Sequence, residues 1–295
     1  MSGTLLIGGM PVSLLLIVLM SVSVGLLSGL FGVGGGFLLT PLLIFLGVDP
    51  AIAVATAAPQ IAASTITALI SHWRRGNLDP KLGLMLVLCS VPGTVLGVWA
   101  FDLLEAQAHL DRVLHVLFAL LLGGSGLSML FDALRHHRQS KVILPHQQVV
   151  ADFVHLWPAL PWPVFFERSR IKVSAVPLAG FAGLVGFLGT LLGIGGGFVI
   201  VSVLIGVFQV PVLVAAATSS FQIFFTMIFA SGLHLSQSHP VDAALAFWLV
   251  VGGIIGGHLG GMVGGRLSAV SFRSWFAVLM LAVAARFLYM IVQGL

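Results

Sequence analysis

Phe31-Gly-Val-Gly-Gly-Gly-Phe-Leu38 returns 161 residues later as Leu192-Gly-Ile-Gly-Gly-Gly-Phe-Val199. Ala55-Thr-Ala-Ala-Pro-Gln-Ile61 then returns as Ala217-Thr-Ser-Ser-Phe-Gln-Ile223, at an offset of 162. His72 falls on His234 at the same offset, and Gly93 and Gly97 fall on Gly256 and Gly260 at 163. Four landmarks in one order, with single-residue slips between them, mark an internal duplication. The halves run over residues 1–131 and 173–295, and residues 132–172 link them.

The composition says where such a duplicated unit lives. Hydrophobic residues make up 59% of the 295 and charged residues only 7%, against about 25% charged in a soluble domain. Apolar runs long enough to cross a hydrocarbon layer of about 30 Å recur along the chain. The first, from Pro11 to Phe31, exceeds the 7–15 apolar residues of a signal-peptide core and has no basic stretch before it, so it reads as a retained helix. The basic residues mostly sit between apolar runs, where topology accounts for them without a nucleic-acid partner. Cys89 is the single cysteine, which excludes an internal disulfide framework and a cysteine-based metal cluster.

Each half shows five apolar segments. They cover about 11–33, 35–47, 51–71, 80–101 and 110–131, then about 174–194, 197–208, 212–235, 241–264 and 274–293. The second of each half has about 13 residues, short of the roughly 20 that span a bilayer. Loop 72–81 carries Arg74, Arg75 and Lys81, and the linker carries Arg135, Arg138, Lys141, Arg168, Arg170 and Lys172. Loop 102–111 carries Asp102, Glu105 and Asp111 instead. Basic loops stay cytoplasmic, so 72–81 and the linker are expected inside and 102–111 outside. In the second half the bias flips: loop 236–240 has no Lys or Arg, while 265–273 has Arg266 and Arg273. The expectation is an all-α multi-pass protein of the plasma (inner) membrane. It has two inverted repeats of five transmembrane or half-membrane helices with glycine-rich breaks, and both termini are external. Many secondary transporters are built this way.

The glycine triplets Gly34-Gly35-Gly36 and Gly195-Gly196-Gly197 each precede a short segment. A helix that starts there presents free N–H groups and the positive end of its dipole. Inside a membrane this makes an anion site without a formal charge. The other reading is that the glycines only let helices pack closely. The third segments carry a largely polar series four residues apart, Thr56, Gln60, Ser64, Ala68 and His72, matched by Thr218, Gln222, Thr226, Ala230 and His234. Thr56, Gln60 and Ser64 share a helix face, and His72 has rotated away from it. These polar groups need partners in lipid, supplied by a polar cavity with a ligand or by other helices. Ser219 sits beside Thr218 and joins the candidate set. Pro59 is expected to kink or interrupt its helix.

No Asp or Glu lies well inside a confident crossing, which argues against a carboxylate proton relay. His258 and Arg286 lie mid-segment and are further candidates, as intramembrane ionisable groups are by default. The histidines of the linker, His136, His137, His146 and His155, match no closed metal site. No cofactor or metal is expected.

The stretch Gly29-Leu-Phe-Gly-Val-Gly-Gly-Gly-Phe37, followed by Pro41, Ala55-Thr56 and Gly93 to Gly97, resembles the sulfite exporter TauE/SafE family, also called the toluene sulfonate uptake permease family. The second-half counterparts match as well, and the resemblance covers nearly the whole chain outside the linker. It implies a permease for a small sulfur-containing anion such as sulfite, a sulfonate or sulfoacetate. On the residues themselves, a ten-helix carrier for a neutral metabolite and a passive anion channel fit the same architecture. The sequence leaves the direction of flux, the coupling ion and the oligomeric state open. The expected partners are a small anionic substrate and the lipid bilayer.

Overall fold

The structure, a computed structural model, describes residues 4–7, 10–31, 35–138, 162–169, 171–208, 210–236, 242–263 and 269–293. Gly34, Arg266 and residues 139–161 of the linker lie outside the described residues. The described residues form ten helices, five in each half. In the first half these are α1 (Leu14–Phe31), α2 (Gly36–Phe45), α3 (Pro50–Arg74), α4 (Pro80–Ala106) and α5 (Leu110–Arg138). In the second they are α6 (Ala175–Leu191), α7 (Gly197–Gly206), α8 (Val212–Ser236), α9 (Ala243–Val263) and α10 (Ala269–Gln293).

Two short hairpins were not expected of an all-α chain. Strands β1 (Thr4–Ile7) and β2 (Met10–Ser13) pair antiparallel and lead into α1. Strands β3 (Pro163–Phe166) and β4 (Ile171–Ser174) do the same before α6. Each repeat therefore opens on a hairpin, and the end of the linker is the hairpin of the second repeat. Helix α5 also runs to Arg138, two turns beyond its apolar stretch, because nothing in Asp132 to Arg138 breaks a helix.

Helix starts follow local chemistry. Asp49 caps α3 by accepting from the Ala51 N–H at 2.8 Å, with Pro50 in the first turn. Asp79 caps α4 through the Leu82 N–H at 3.1 Å, with Pro80 following. Asp242 accepts from the N–H groups of Ala244 and Leu245 ahead of α9. Ser174 caps α6. These arrangements satisfy donors that every helix start leaves free. Helix α3 runs unbroken through Pro59. The proline removes one N–H from the ladder and leaves the Ala55 carbonyl without it, yet the helix continues to Arg74.

Contacts between the halves come in pairs. α1 packs on α9 and its mate α6 packs on α4; α3 packs on α9 and its mate α8 packs on α4; α3 packs on α8, and α5 on α10. Glycine sets the approach. A Cβ on Gly25 would come 2.5 Å from the Gly253 carbonyl oxygen, and one on Gly29 would overlap the Gly257 backbone. A Cβ on Gly93 would overlap Gly183 on α6, and one on Gly256 would overlap Val22 on α1. Backbone contact of this kind replaces the hydrophobic effect, which does not drive one helix against another in lipid.

These contacts also fix directions. Ser21 meets Leu249 and Gly29 meets Gly257, so α1 and α9 run the same way. Gly83 meets Phe221 and Ser90 meets Thr226, so α4 and α8 run the same way. Ile61 and Ile223 meet at Gly195, whereas Leu69, later on α3, clusters with Ala217, earlier on α8. The repeat-related helices α3 and α8 therefore cross in opposite senses.

Among the described residues five helices are long and apolar enough to span a membrane: α3, α4, α5, α8 and α9. Of these α3 is the most enclosed by protein. Leu15, Leu88, Trp99, Leu120, Phe247 and Leu288 point outward and exposed, as a lipid-facing surface requires.

The glycine contacts carry a direct test. Gly93→Val should force α4 from α6 and lower stability by about 1–3 kcal/mol. Gly124→Ala, with open space around it, should leave stability unchanged or raise it by up to about 1 kcal/mol. Thermal unfolding of both variants in the same detergent measures the contrast.

Candidate functional site

The two short helices begin differently from the side-chain-capped α3, α4, α6 and α9. Gly35 precedes α2 at φ 62° and Gly196 precedes α7 at φ 67°, both left-handed, and neither start has a side-chain cap. Left-handed backbone is the conformation glycine adopts without strain. It turns the chain back on itself. A Cβ on Gly35 would lie 2.9 Å from the Val24 carbonyl oxygen and 2.9 Å from the Ser28 Cβ. The matching Gly196 lies against Val185. Residues 24 to 31 rise about 10 Å along α1, so the chain has come back about that far before α2 begins. Each break is thus a reversal, with the short helix starting deep in the protein.

The two reversals meet. Ile61 of α3 touches the Cβ position of Gly36 and comes within 3.3 Å of that of Gly195. The Gly36 position also lies 3.0 Å from the Ile194 carbonyl oxygen. Phe37 and Phe198, first-turn residues of α2 and α7, have ring centroids 5.8 Å apart. Thr40 of α2 donates to the Gly193 carbonyl at 2.8 Å, tying one half's short helix to the other half's glycine loop. Gly36, Phe37, Gly197 and Phe198 are all buried. Two uncapped helix starts, each with free N–H groups and a positive dipole end, therefore face the α3–α8 crossing.

The polar series lies on the flanks of that crossing. Thr56, Gln60, Ser64, Thr218, Ser219 and Gln222 are fully buried, and Thr226 nearly so. Gln60 points at Gly253 of α9, where a Cβ would sit 2.5 Å from its Nε2. Ser64 donates back to the Ile61 carbonyl at 3.1 Å, and Ser219 to the Ala216 carbonyl at 3.0 Å. The Thr218 hydroxyl accepts from the Asp79 N–H at 3.5 Å. The Gln222 Nε2 donates to the Thr226 hydroxyl at 2.9 Å, which lies 3.1 Å from the Ser90 hydroxyl. Gln60 Nε2 and Oε1, Thr56 Oγ1 and Gln222 Oε1 are buried without a hydrogen-bond partner among the described residues.

The structure does not bring every candidate here. His258 and Arg286 are exposed on the outside of α9 and α10. The Arg286 guanidinium lies over the rings of Tyr289 and Phe45, at 5.4 and 6.0 Å from their centroids. His234 is buried edge-on to Phe101 at 5.3 Å. Sequence reasoning missed Ser90 and Gly253, which are repeat mates at offset 163. It also missed Ser28, whose buried hydroxyl beside Gly35 has no partner among the described residues. Aligning the fourth segments residue by residue would have found the first two.

A corner below the site was also unforeseen. Asp79 is buried, and its Oδ2 accepts from the Ser169 N–H and hydroxyl at 3.1 and 2.7 Å. Arg168 donates to the carbonyls of Gly76 and Leu78 at 3.0 and 2.8 Å. The second hairpin is thereby pinned to the α3–α4 corner, next to Thr218.

A multi-pass helical protein with two buried, uncapped helix starts at its centre has the architecture of a membrane transporter. The family model of the sulfite exporter TauE/SafE matches residues 16–287, and the chain belongs to that family. It is 28% identical over 252 residues to the probable membrane transporter protein YunE of Bacillus subtilis (strain 168), covering 83% of this chain and 86% of that one. It is 30% identical over 248 residues to a probable membrane transporter protein of Xylella fastidiosa (strain 9a5c), covering 83% of each. No solved structure matches it.

The bonds of Thr226 make a prediction. Thr226→Val removes both of its polar contacts and leaves the buried Gln222 Nε2 unpaired, at a cost of about 1–3 kcal/mol. Ser64→Ala removes only a bond within its own helix turn and should cost under about 0.5 kcal/mol. Unfolding curves of the two variants read the difference.

Proposed function

We propose that this transporter is a secondary carrier for a small sulfur-containing anion, sulfite or a sulfonate, working by alternating access. The observation that carries the reading is the meeting of two uncapped, buried helix starts at the α3–α8 crossing. Free N–H groups there attract negative charge without a formal cation that would hold it too tightly. The family's description as sulfite exporters points to the same chemistry.

The substrate lies on the turn of α3 from Thr56 to Ile61, between the glycine break on one flank and Gly253 on the other. Gly36 and Gly197 supply backbone N–H groups. Thr56, Gln60, Thr218, Ser219 and Gln222 supply side-chain polarity, and Gly35, Gly195 and Gly196 give the turns that aim the helix starts. Gly34 completes the first triplet in sequence.

The alternation follows from the repeats. Mates α3 and α8 cross in opposite senses, and the contacts between halves come in matched pairs. These features support repeats inverted about an axis in the membrane plane. Under such an axis, tilting one half against the other exchanges the two open states. The charge bias of the loops supports the same orientation in the plasma membrane. The contact of Arg168 with Gly76 and Leu78 agrees with it, since both segments carry the basic bias.

Exchange in proteoliposomes tests the reading. Sulfite or a simple sulfonate should give saturable flux, accelerated by the same anion on the far side. Gly36→Ala puts a methyl group between the free N–H groups and Ile61, and should raise half-saturation about tenfold, the equivalent of one hydrogen bond to an anion. If only a neutral metabolite exchanges, the anion reading fails. If anion flux neither saturates nor responds to the far side, the protein is a channel.

A further inference from the structure

The two repeats carry the same glutamine but not the same surroundings. In the second repeat, Gln222 donates to Thr226, and Thr226 meets Ser90, which itself donates to the Val87 carbonyl at 2.9 Å. The mates of these three residues are Gln60, Ser64 and Gly253. Gly253 has no hydroxyl to offer. Ser64 is turned to its own helix, on the Ile61 carbonyl. Gln60 is consequently buried with neither Nε2 nor Oε1 paired, and the Thr56 hydroxyl one turn away is unpaired as well. Because both ends of the amide lack partners, exchanging its oxygen and nitrogen changes nothing.

Buried amides are almost always satisfied, and native chains keep very few exceptions. The chain shows in its second repeat how it would satisfy the donor end of this one, with a threonine hydroxyl held by a serine on the facing helix, and the first repeat lacks that serine. A ligand completes what the protein leaves open. The amide offers two donors and one acceptor on a single group. A fully ionised oxyanion has only acceptors, so its oxygens would face Oε1 with like partial charge. An oxyanion that keeps one proton turns its O–H to Oε1 and its other oxygens to the N–H groups.

We propose that Gln60 is the substrate-recognising amide of this carrier and that it selects an oxyanion still carrying one proton, while Gln222, held by Thr226 and Ser90, positions the opposite wall. The proposal rests on the anion reading above and narrows its substrate class. The proton travels on the substrate, so no carboxylate relay is needed and each passage moves one negative charge fewer.

Few titratable groups surround Gln60. α1 and α2 carry none. On α9, His258 lies just over one turn past Gly253 with its side chain exposed. Along α3 the nearest are Asp49, at its N-terminal cap, and His72, each about three turns away, with Arg74 beyond His72. The packed helices α8 and α5 bring His234, His115, Asp111 and Arg112.

The test is calorimetric titration of the full-length protein with sulfite over a pH series through the anion's second ionisation. Methanesulfonate, which stays ionised throughout, is titrated in parallel. Affinity for total sulfite should fall about tenfold per pH unit above that ionisation, because only the protonated form binds. Methanesulfonate should bind weakly and without that slope, whereas a titrating histidine would shift both ligands alike. Gly253→Ser gives Gln60 the partner that its mate's network has, so it should weaken sulfite about tenfold while the unfolding temperature holds. Gln60→Leu should do the same. A flat sulfite profile in the parent protein, or full sulfite affinity in either folded variant, overturns the proposal and leaves the anion carrier standing. Failure of the parent protein to bind any anion overturns both.

Discussion

A helix that begins inside a hydrocarbon layer exposes N–H groups that no water reaches, and such a start is tolerated only when protein or ligand surrounds it. This chain buries two such starts in protein, at Gly36 and at Gly197, and much of the rest follows from enclosing them. α3 and α8 cross over them, with Ile61 and Ile223 both against Gly195. α1, α9, α4 and α6 close around the crossing through glycine-to-backbone contacts. Under the proposed function this enclosure is what would let a charge-free site hold an anion, since the helix dipoles act at full strength only away from bulk water.

Close packing and chain reversal thus share one residue type for different reasons. Gly25, Gly29, Gly93 and Gly256 are small because a neighbouring backbone occupies the Cβ position. Gly35, Gly195 and Gly196 are glycine because the chain there is left-handed. The sequence alone could not separate these roles, since both read as glycine in an apolar run.

Much of the fold was legible in advance because it rests on periodicity and repetition. Ten helices lie within a few residues of the ten apolar segments, and the glycine triplets do precede the short helices. What could not be read was set by neighbours distant in sequence. Pro59 suggested a kink or a break, and α3 runs through it without a break. The second hairpin looked like linker because only its pairing and its bonds to Asp79 and Gly76 give it structure. Arg286 and His258 were singled out by their depth in a segment, but helix phase puts them on the outside. The difference between Gln60 and Gln222 depends on a glycine against a serine on another helix, which no local pattern reveals.

The central claim is that the substrate sits on the α3 turn between the two helix starts and Gly253. Diffraction from crystals grown with selenite, a heavier analogue of sulfite, at the selenium absorption edge would locate the anion directly. The account predicts one anomalous peak within hydrogen-bonding reach of Gln60 and the first turn of α2 or α7. A peak beside Arg286 or His258 on the outer surface, with none at the crossing, would contradict it.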